Sequence, residues 1–139
     1  MPILYTAHAT STGGRDGRGK TDDGKLDLAL SLPKEMGGDN QGTNPEQLFA
    51  VGYSACYLGA IRFVAGNEKF TITPDASVTA HVGVGPREDG GGFGIEVALD
   101  VSLPGLSKAQ AEDIAAKAHV VCPYSHATKG NIKVTTKIV

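Results

Sequence analysis

The chain has 139 residues, and 13 Lys or Arg against 15 Asp or Glu give a formal net charge of −2, a poor match for a nucleic-acid binder. A length of one ordinary domain, expected to span 1–139, buries about 70% of the surface an unfolded chain exposes, so no metal or disulfide is needed to hold a core. With 40% hydrophobic and 20% charged residues disorder is excluded, and no apolar run approaches the ~18 residues of a membrane span.

In chain order, residues 3–10 are compatible with a strand. Gly13-Gly14-Arg15-Asp16-Gly17-Arg18-Gly19-Lys20 reads as a glycine-rich loop or hairpin carrying three cations. Asp22-Asp23-Gly24 signals a turn. Residues 25–32 then alternate, with Leu26, Leu28, Leu30 and Leu32 on one side, the period of a half-buried strand. After a second glycine-rich loop, Gly37–Gly42, Asn44 is placed to cap a helix, Pro45 suits its first position and Gln47 completes a capping-box pattern. That helix is predicted to run to Val64 or Ala65 and to stop at Gly66. It carries no charge from Leu48 to Ile61, which implies burial on every side, and its many small residues permit close approach of another backbone.

Ala76–Val84 and Phe93–Val101 each alternate as strands and form a hairpin around Pro86–Gly92. Ser107 and Gln110 make a capping box for a second helix of about 14 residues, which ends before Pro123 because the residue preceding a proline disfavours helical geometry. Residues 131–138 form the last strand, with Ile132, Val134 and Ile138 inward. The class is α+β, mostly antiparallel strands with two helices.

Gly14-Arg15-Asp16-Gly17-Arg18-Gly19-Lys20-Thr21 matches a phosphate-loop pattern letter for letter. That loop works only between a strand and a helix. The next element, Lys25–Leu32, has strand period, so the glycines read as freedom for a tight loop. His119, Cys122 and His126 lie within eight residues, but Pro123 divides them and no fourth ligand is in view, so no metal is expected. His8 and His81 read as polar strand positions, and Arg62, Lys69 and Arg87 as solvated charge.

The two cysteines are the informative feature. With no basic segment and no long apolar stretch at Met1–Tyr5, no secretory signal is expected. This points to a reducing cytoplasm, where a cysteine pair is more often catalytic or redox-active than structural. Cys56, in the uncharged helix, is either a small core hydrophobe or a reactive thiol. Cys122 sits at a helix end. Together they are the minimal kit for attack and resolution by a disulfide. A buried mid-helix thiol has a raised pKa and needs an imported cation. Arg62 lies about 240° round the helix axis and points elsewhere; the cationic Arg15–Lys20 loop is the natural supplier, and Glu46, in the first turn of the helix, is a candidate to pair with that cation. Glu46 and Cys56 are about 15 Å apart along one helix. They could share a site if two copies of the helix packed antiparallel, which predicts a dimer with interface sites.

The runs Gly13–Arg18, Thr43–Ala50, Gly52–Cys56 and Val121–Ser125, in this order, closely resemble the organic hydroperoxide resistance (Ohr) family of the Ohr/OsmC superfamily. Gly91–Gly94 and Leu103–Leu106 also look like this family. The resemblance implies a thiol peroxidase folded as an entwined homodimer, with antiparallel sheets wrapped around two central helices. Cys56 would be the peroxidatic cysteine, Cys122 the resolving one, Arg15 the residue that stabilises thiolate and leaving group, and Glu46 its holder. It also implies organic hydroperoxides as substrates, no bound cofactor, and reduction by a lipoylated protein or dihydrolipoamide. Phe49 and Phe93 are candidates to line an apolar entrance. The alternatives are an OsmC-type peroxidase of broader range and a non-catalytic cysteine redox sensor.

Overall fold

The computed structural model describes residues 1–139, and they form two compact units, Met1–Leu48 and Phe49–Val139. In the first unit, β1 (Ala9–Thr12), β2 (Arg18–Thr21) and β3 (Asp27–Ala29) make an antiparallel sheet in that order. Thr12 pairs with Arg18, so Gly13–Gly17 is the hairpin tip. Gly13 has φ +73°, and a Cβ at Gly17 would collide with the Thr12 carbonyl. The loop can therefore be this tight only with glycine at those two positions.

The glycine-rich segment joins one strand to another, and β2 passes through the Asp22–Gly24 turn into β3. The strand-then-helix context of a phosphate loop is absent, as its period indicated. Two strand expectations need correction. Residues 1–8 are not a strand: the ladder to β2 begins at Ala9, preceded only by a bond from the Asp22 N–H to the His8 carbonyl, and Ile3, Leu4 and Tyr5 are exposed. Of 25–32, only Asp27–Ala29 finds ladder partners on the four-residue β2. The alternation survives as graded burial, with Leu26 exposed, Leu28 half-buried and Leu30 buried.

Helix α1 (Pro45–Asn67) begins at the end of this unit. The Gln47 N–H donates to Asn44 Oδ1 at 2.8 Å, the expected cap. The Gln47 side chain does not close a box, because its oxygen accepts instead from the Thr43 hydroxyl at 2.6 Å. The helix runs through Gly66 to Asn67, and Lys69 takes the left-handed conformation beyond it at φ 61°.

The second unit contains the rest of α1, then β4 (Ser77–Pro86), β5 (Phe93–Ser102), α2 (Lys108–Val121), α3 (Pro123–Thr128) and β6 (Val134–Ile138). The sheet order is β4-β5-β6. The hairpin register runs from Ser77↔Ser102 to Pro86↔Phe93. Strand β6 is parallel to β5, not antiparallel, because the two helices return the chain to the end where β5 began. The Ser107 capping box is present in full. The short α3 was not foreseen: Pro123, which stops α2, occupies the first turn of a new helix, where a missing N–H costs nothing.

Tyr53, Tyr57, Ile61 and Ala65 of α1 join Val97, Leu99 and Val101 of β5 and Ala111, Ile114 and Ala118 of α2 in one buried cluster. Burial of α1 is one-sided, against the expectation of a helix enclosed all round. Leu48, Val51, Ala55, Gly59 and Phe63, three or four residues apart, form an exposed stripe. The expectation that no apolar stretch has spanning length also needs correction. By length and composition α1 is long and apolar enough to cross a membrane, although 33% of that stretch is buried inside the protein. Its two tyrosines are turned into the core.

Candidate active site

Two pairs of side chains are the candidates for chemistry, one in each unit. In the first, the hairpin tip presents Arg15 and the first turn of α1 presents Glu46. Arg15 Nη1 and Nη2 donate to the two Glu46 carboxylate oxygens at 2.8 and 2.7 Å. This bidentate pairing matches the fork of the guanidinium to the carboxylate and fixes its orientation. The hydrogen bonds from Arg15 hold the Glu46 carboxyl below its usual range, and burial opposes them. The same hydrogen bonds raise Arg15 above its ordinary value. Arg15 stays permanently charged, with its side chain 40% exposed and its Glu46 partner only 13%.

In the second unit, Cys56 on α1 and Cys122 at the α2–α3 joint are both thiols, with Cys122 Sγ donating to Cys56 Sγ across 3.6 Å. The alternation of the helices brings residues 66 positions apart into contact. Cys56 is half-buried and Cys122 fully buried. Burial pushes the Cys56 thiol up; the Tyr124 backbone N–H works against this, and the Cys122 thiol adds to it. A neutral thiol is thus favoured at Cys56 until a positive group is supplied.

Phe49 is half-buried beside this pair of helices. Its ring lies 5.9 Å from Tyr53 and 6.0 Å from Tyr124, in an aromatic group that Tyr124 and Tyr53 complete at 5.7 Å. Tyr124 rests on Gly52: a Cβ there would come within 2.8 Å of its hydroxyl. Phe93 stands at the start of β5, 72% exposed, outside the buried cluster.

Two of the histidines are hydrogen-bonded within the fold. His119 is hydrogen-bonded through Nδ1 to Ser125 Oγ (2.8 Å) and through Nε2 to Thr136 Oγ1 (2.7 Å). Burial lowers its pKa, favouring the neutral ring. His81 pairs with Asp100 on the β4–β5 face at 2.8 Å. No group of three or more metal-ligating side chains is present.

Sequence reasoning missed the network around Ser125. The residue lay in view inside Val121–Ser125, but nothing in a linear pattern links it to Tyr53, 72 positions earlier. The only local signal was Ser125 at the third position after Cys122, the spacing of a helix cap.

Three kinds of comparison bear on this arrangement. The family model described as OsmC-like protein matches residues 38–137. The chain is 52% identical to an organic hydroperoxide resistance protein of Xanthomonas axonopodis pv. citri over 134 residues, 96% of this chain and 93% of that one. Its fold superposes on the crystal structure of an organic hydroperoxide resistance protein OsmC from Legionella pneumophila with a TM-score of 0.93 at 45% identity. That match covers 99% of this chain and 98% of the other. The organic hydroperoxide resistance protein OhrB of Bacillus subtilis gives 0.90 at 40% identity, with 99% and 100% covered. With three helices, two sheets, a cysteine pair and an arginine–glutamate pair in the motifs that carried the resemblance, the chain belongs to the OsmC-like family, in its organic hydroperoxide resistance branch.

Proposed function

We propose that this protein is a cysteine peroxidase that reduces organic hydroperoxides to alcohols, and so acts in the hydroperoxide resistance for which its relatives are named. The observation that carries this reading is the approach of two thiols, one partly open and one buried, to 3.6 Å. In the first step the Cys56 thiolate attacks the terminal oxygen of the hydroperoxide. The O–O bond breaks, Cys56 becomes a sulfenic acid, and the alkoxide leaves and takes a proton to become the alcohol. In the second step Cys122 displaces the hydroxyl from Cys56. An S–S bond forms, and the thiol proton leaves with the hydroxyl as water. An external dithiol then reduces the disulfide; in this reading it is a lipoylated protein or dihydrolipoamide.

Arg15 is the cation that a buried thiolate requires, and it stabilises the departing alkoxide. Glu46 holds Arg15 in place and does not act as a base, since a free carboxylate beside the thiolate would raise its pKa. Phe49 and Phe93 line an apolar entrance that rewards alkyl chains and gives hydrogen peroxide nothing. The working unit is a homodimer in a reducing cytoplasm, a reading supported by the exposed apolar stripe of α1. One equivalent of cumene hydroperoxide, with the products read by mass spectrometry, tests the cycle. The wild type should yield an intramolecular disulfide, Cys122→Ser a Cys56 sulfenic acid trapped by dimedone, and Cys56→Ser neither. Oxidation of Cys56→Ser at the wild-type rate would overturn it.

A further inference from the structure

Cys122 is the last residue before α3, and its sulfur accepts a hydrogen bond from the Ser125 backbone N–H at 3.5 Å. Ser125 is itself 5% exposed. Its hydroxyl meets Tyr53 Oη at 2.9 Å and His119 Nδ1 at 2.8 Å, and its carbonyl accepts from the Thr128 hydroxyl at 3.1 Å. Tyr53 Oη also reaches Thr128 Oγ1 at 3.3 Å. The far side of the His119 ring is fixed by Thr136 on β6, and its face lies on Tyr57, with centroids 4.5 Å apart. In the Nε2–H tautomer every donor finds an acceptor: Tyr53 O–H to Ser125 Oγ, Ser125 O–H to His119 Nδ1, His119 Nε2–H to Thr136 Oγ1. One serine thus ties the sulfur of Cys122 to α1, α2 and β6 together.

Disulfide closure is a displacement along the S–O axis of the sulfenic acid, and its rate depends steeply on where the attacking sulfur is held. The Cys122 backbone is bonded to Ala118 and His126 on the two helices it joins, but the one hydrogen bond its sulfur accepts comes from the Ser125 N–H. We infer that Ser125, locked by His119 and Tyr53, is a positioning residue for Cys122 that sets the rate of disulfide closure and leaves the attack of Cys56 on peroxide unchanged. This rests on the reading of Cys122 as the resolving thiol. It adds residues outside the cysteine, arginine and glutamate set, and it assigns them to the second chemical step alone.

Quenched-flow mass spectrometry with one equivalent of cumene hydroperoxide reads both steps on the intact protein. Ser125→Ala should form the Cys56 sulfenic acid at the wild-type rate, close the disulfide about tenfold more slowly, and accumulate dimedone adduct and, with excess peroxide, Cys56 sulfinic acid. Tyr53→Phe, which removes a single hydroxyl, should do the same to a smaller extent and guards against a misfolded Ser125→Ala. His119→Leu should slow closure, and His119→Asn, which keeps an acceptor near the Nδ1 position, should restore most of it. A general loss of stability would not produce that rescue. Closure in Ser125→Ala and Tyr53→Phe at the wild-type rate would overturn the inference. Diamide separates this failure from failure of the peroxidase reading. It takes two hydrogens from the thiol pair to become a hydrazine, with no peroxide chemistry. Slower closure by diamide in Ser125→Ala, beside a wild type inert to hydroperoxide, would retain the positioning role and reject the peroxidase. Equal closure by diamide in wild type and variant would reject the positioning role.

Discussion

In the proposed mechanism the Cys56 thiolate and the Arg15 guanidinium are opposite in charge, and this defines what each substitution does. Arg15→Ala removes the cation but little stability. A pair whose arginine is 40% exposed contributes at most about 1 kcal/mol, whereas loss of a charge-stabilising donor costs about 100-fold in rate. The rate constant with hydroperoxide should fall by that order while the melting temperature barely moves, and Glu46→Gln should show a weaker version of the same loss. The pH profile carries the sign. Burial raises Cys56, so without Arg15 the rate should climb with pH through and beyond the ordinary thiol range near about 8.5, and the wild-type midpoint should lie lower. Glu46 is depressed by Arg15. Its contribution to stability is therefore present above the ordinary carboxyl value of about 4.3 and is lost as pH falls through the lower folded value. Wild-type activity near neutral pH should not show this carboxyl titrating. A wild-type midpoint equal to that of Arg15→Ala would remove Arg15 from the mechanism.

At the scale of elements, one proline organises the second cysteine. Pro123 ends α2 and starts α3, so that Cys122 lies at the joint with extended φ and ψ and its sulfur is directed to Cys56. Pro123→Ala restores an N–H and lets the helical geometry continue through residue 122. The expected result is an unchanged first oxidation and a disulfide that closes several-fold more slowly, read by the same quench. The starts of α1 and α2 and the end of α2 were legible because capping and proline signals are local: Asn44, Ser107 and Pro123 each acted where the sequence put them. The extent of the first sheet was not, since β3 can be no longer than the β2 residues that pair with it. The parallel placement of β6 follows a crossover through α2 and α3, and the six-residue α3 has no periodicity to reveal it. In the candidate site, a cation of the Arg15–Lys20 loop paired with Glu46 could be argued from charge, with Arg15 singled out by the resemblance, whereas only the fold could bring together two cysteines 66 positions apart. The Ser125 network could not, because Tyr53, His119 and Thr136 converge on it only in three dimensions.

At the scale of the whole molecule, the exposed stripe Leu48, Val51, Ala55, Gly59 and Phe63 explains why composition alone suggested a helix buried on every side. In the proposed homodimer a partner surface covers them. The small side chains at Ala55 and Gly59 suit a second copy of the same helix. Sedimentation should give about twice the chain mass of 14.3 kDa. Val51→Glu with Phe63→Glu should shift it toward the monomer, because unpaired charges are costly to bury. A wild type that sediments as a monomer at micromolar concentration would contradict the dimer.

The central claim is that Cys56 turns over organic hydroperoxides, and steady-state kinetics test it most directly. Wild type and Cys56→Ser would be assayed with tert-butyl or fatty-acid hydroperoxide and dihydrolipoamide, beside hydrogen peroxide and thioredoxin controls. Many turnovers per chain are expected, fastest with the organic substrate and the lipoyl dithiol, and none in Cys56→Ser. A single stoichiometric oxidation of Cys56 with no turnover under any reductant would contradict it and make the cysteine pair a redox sensor.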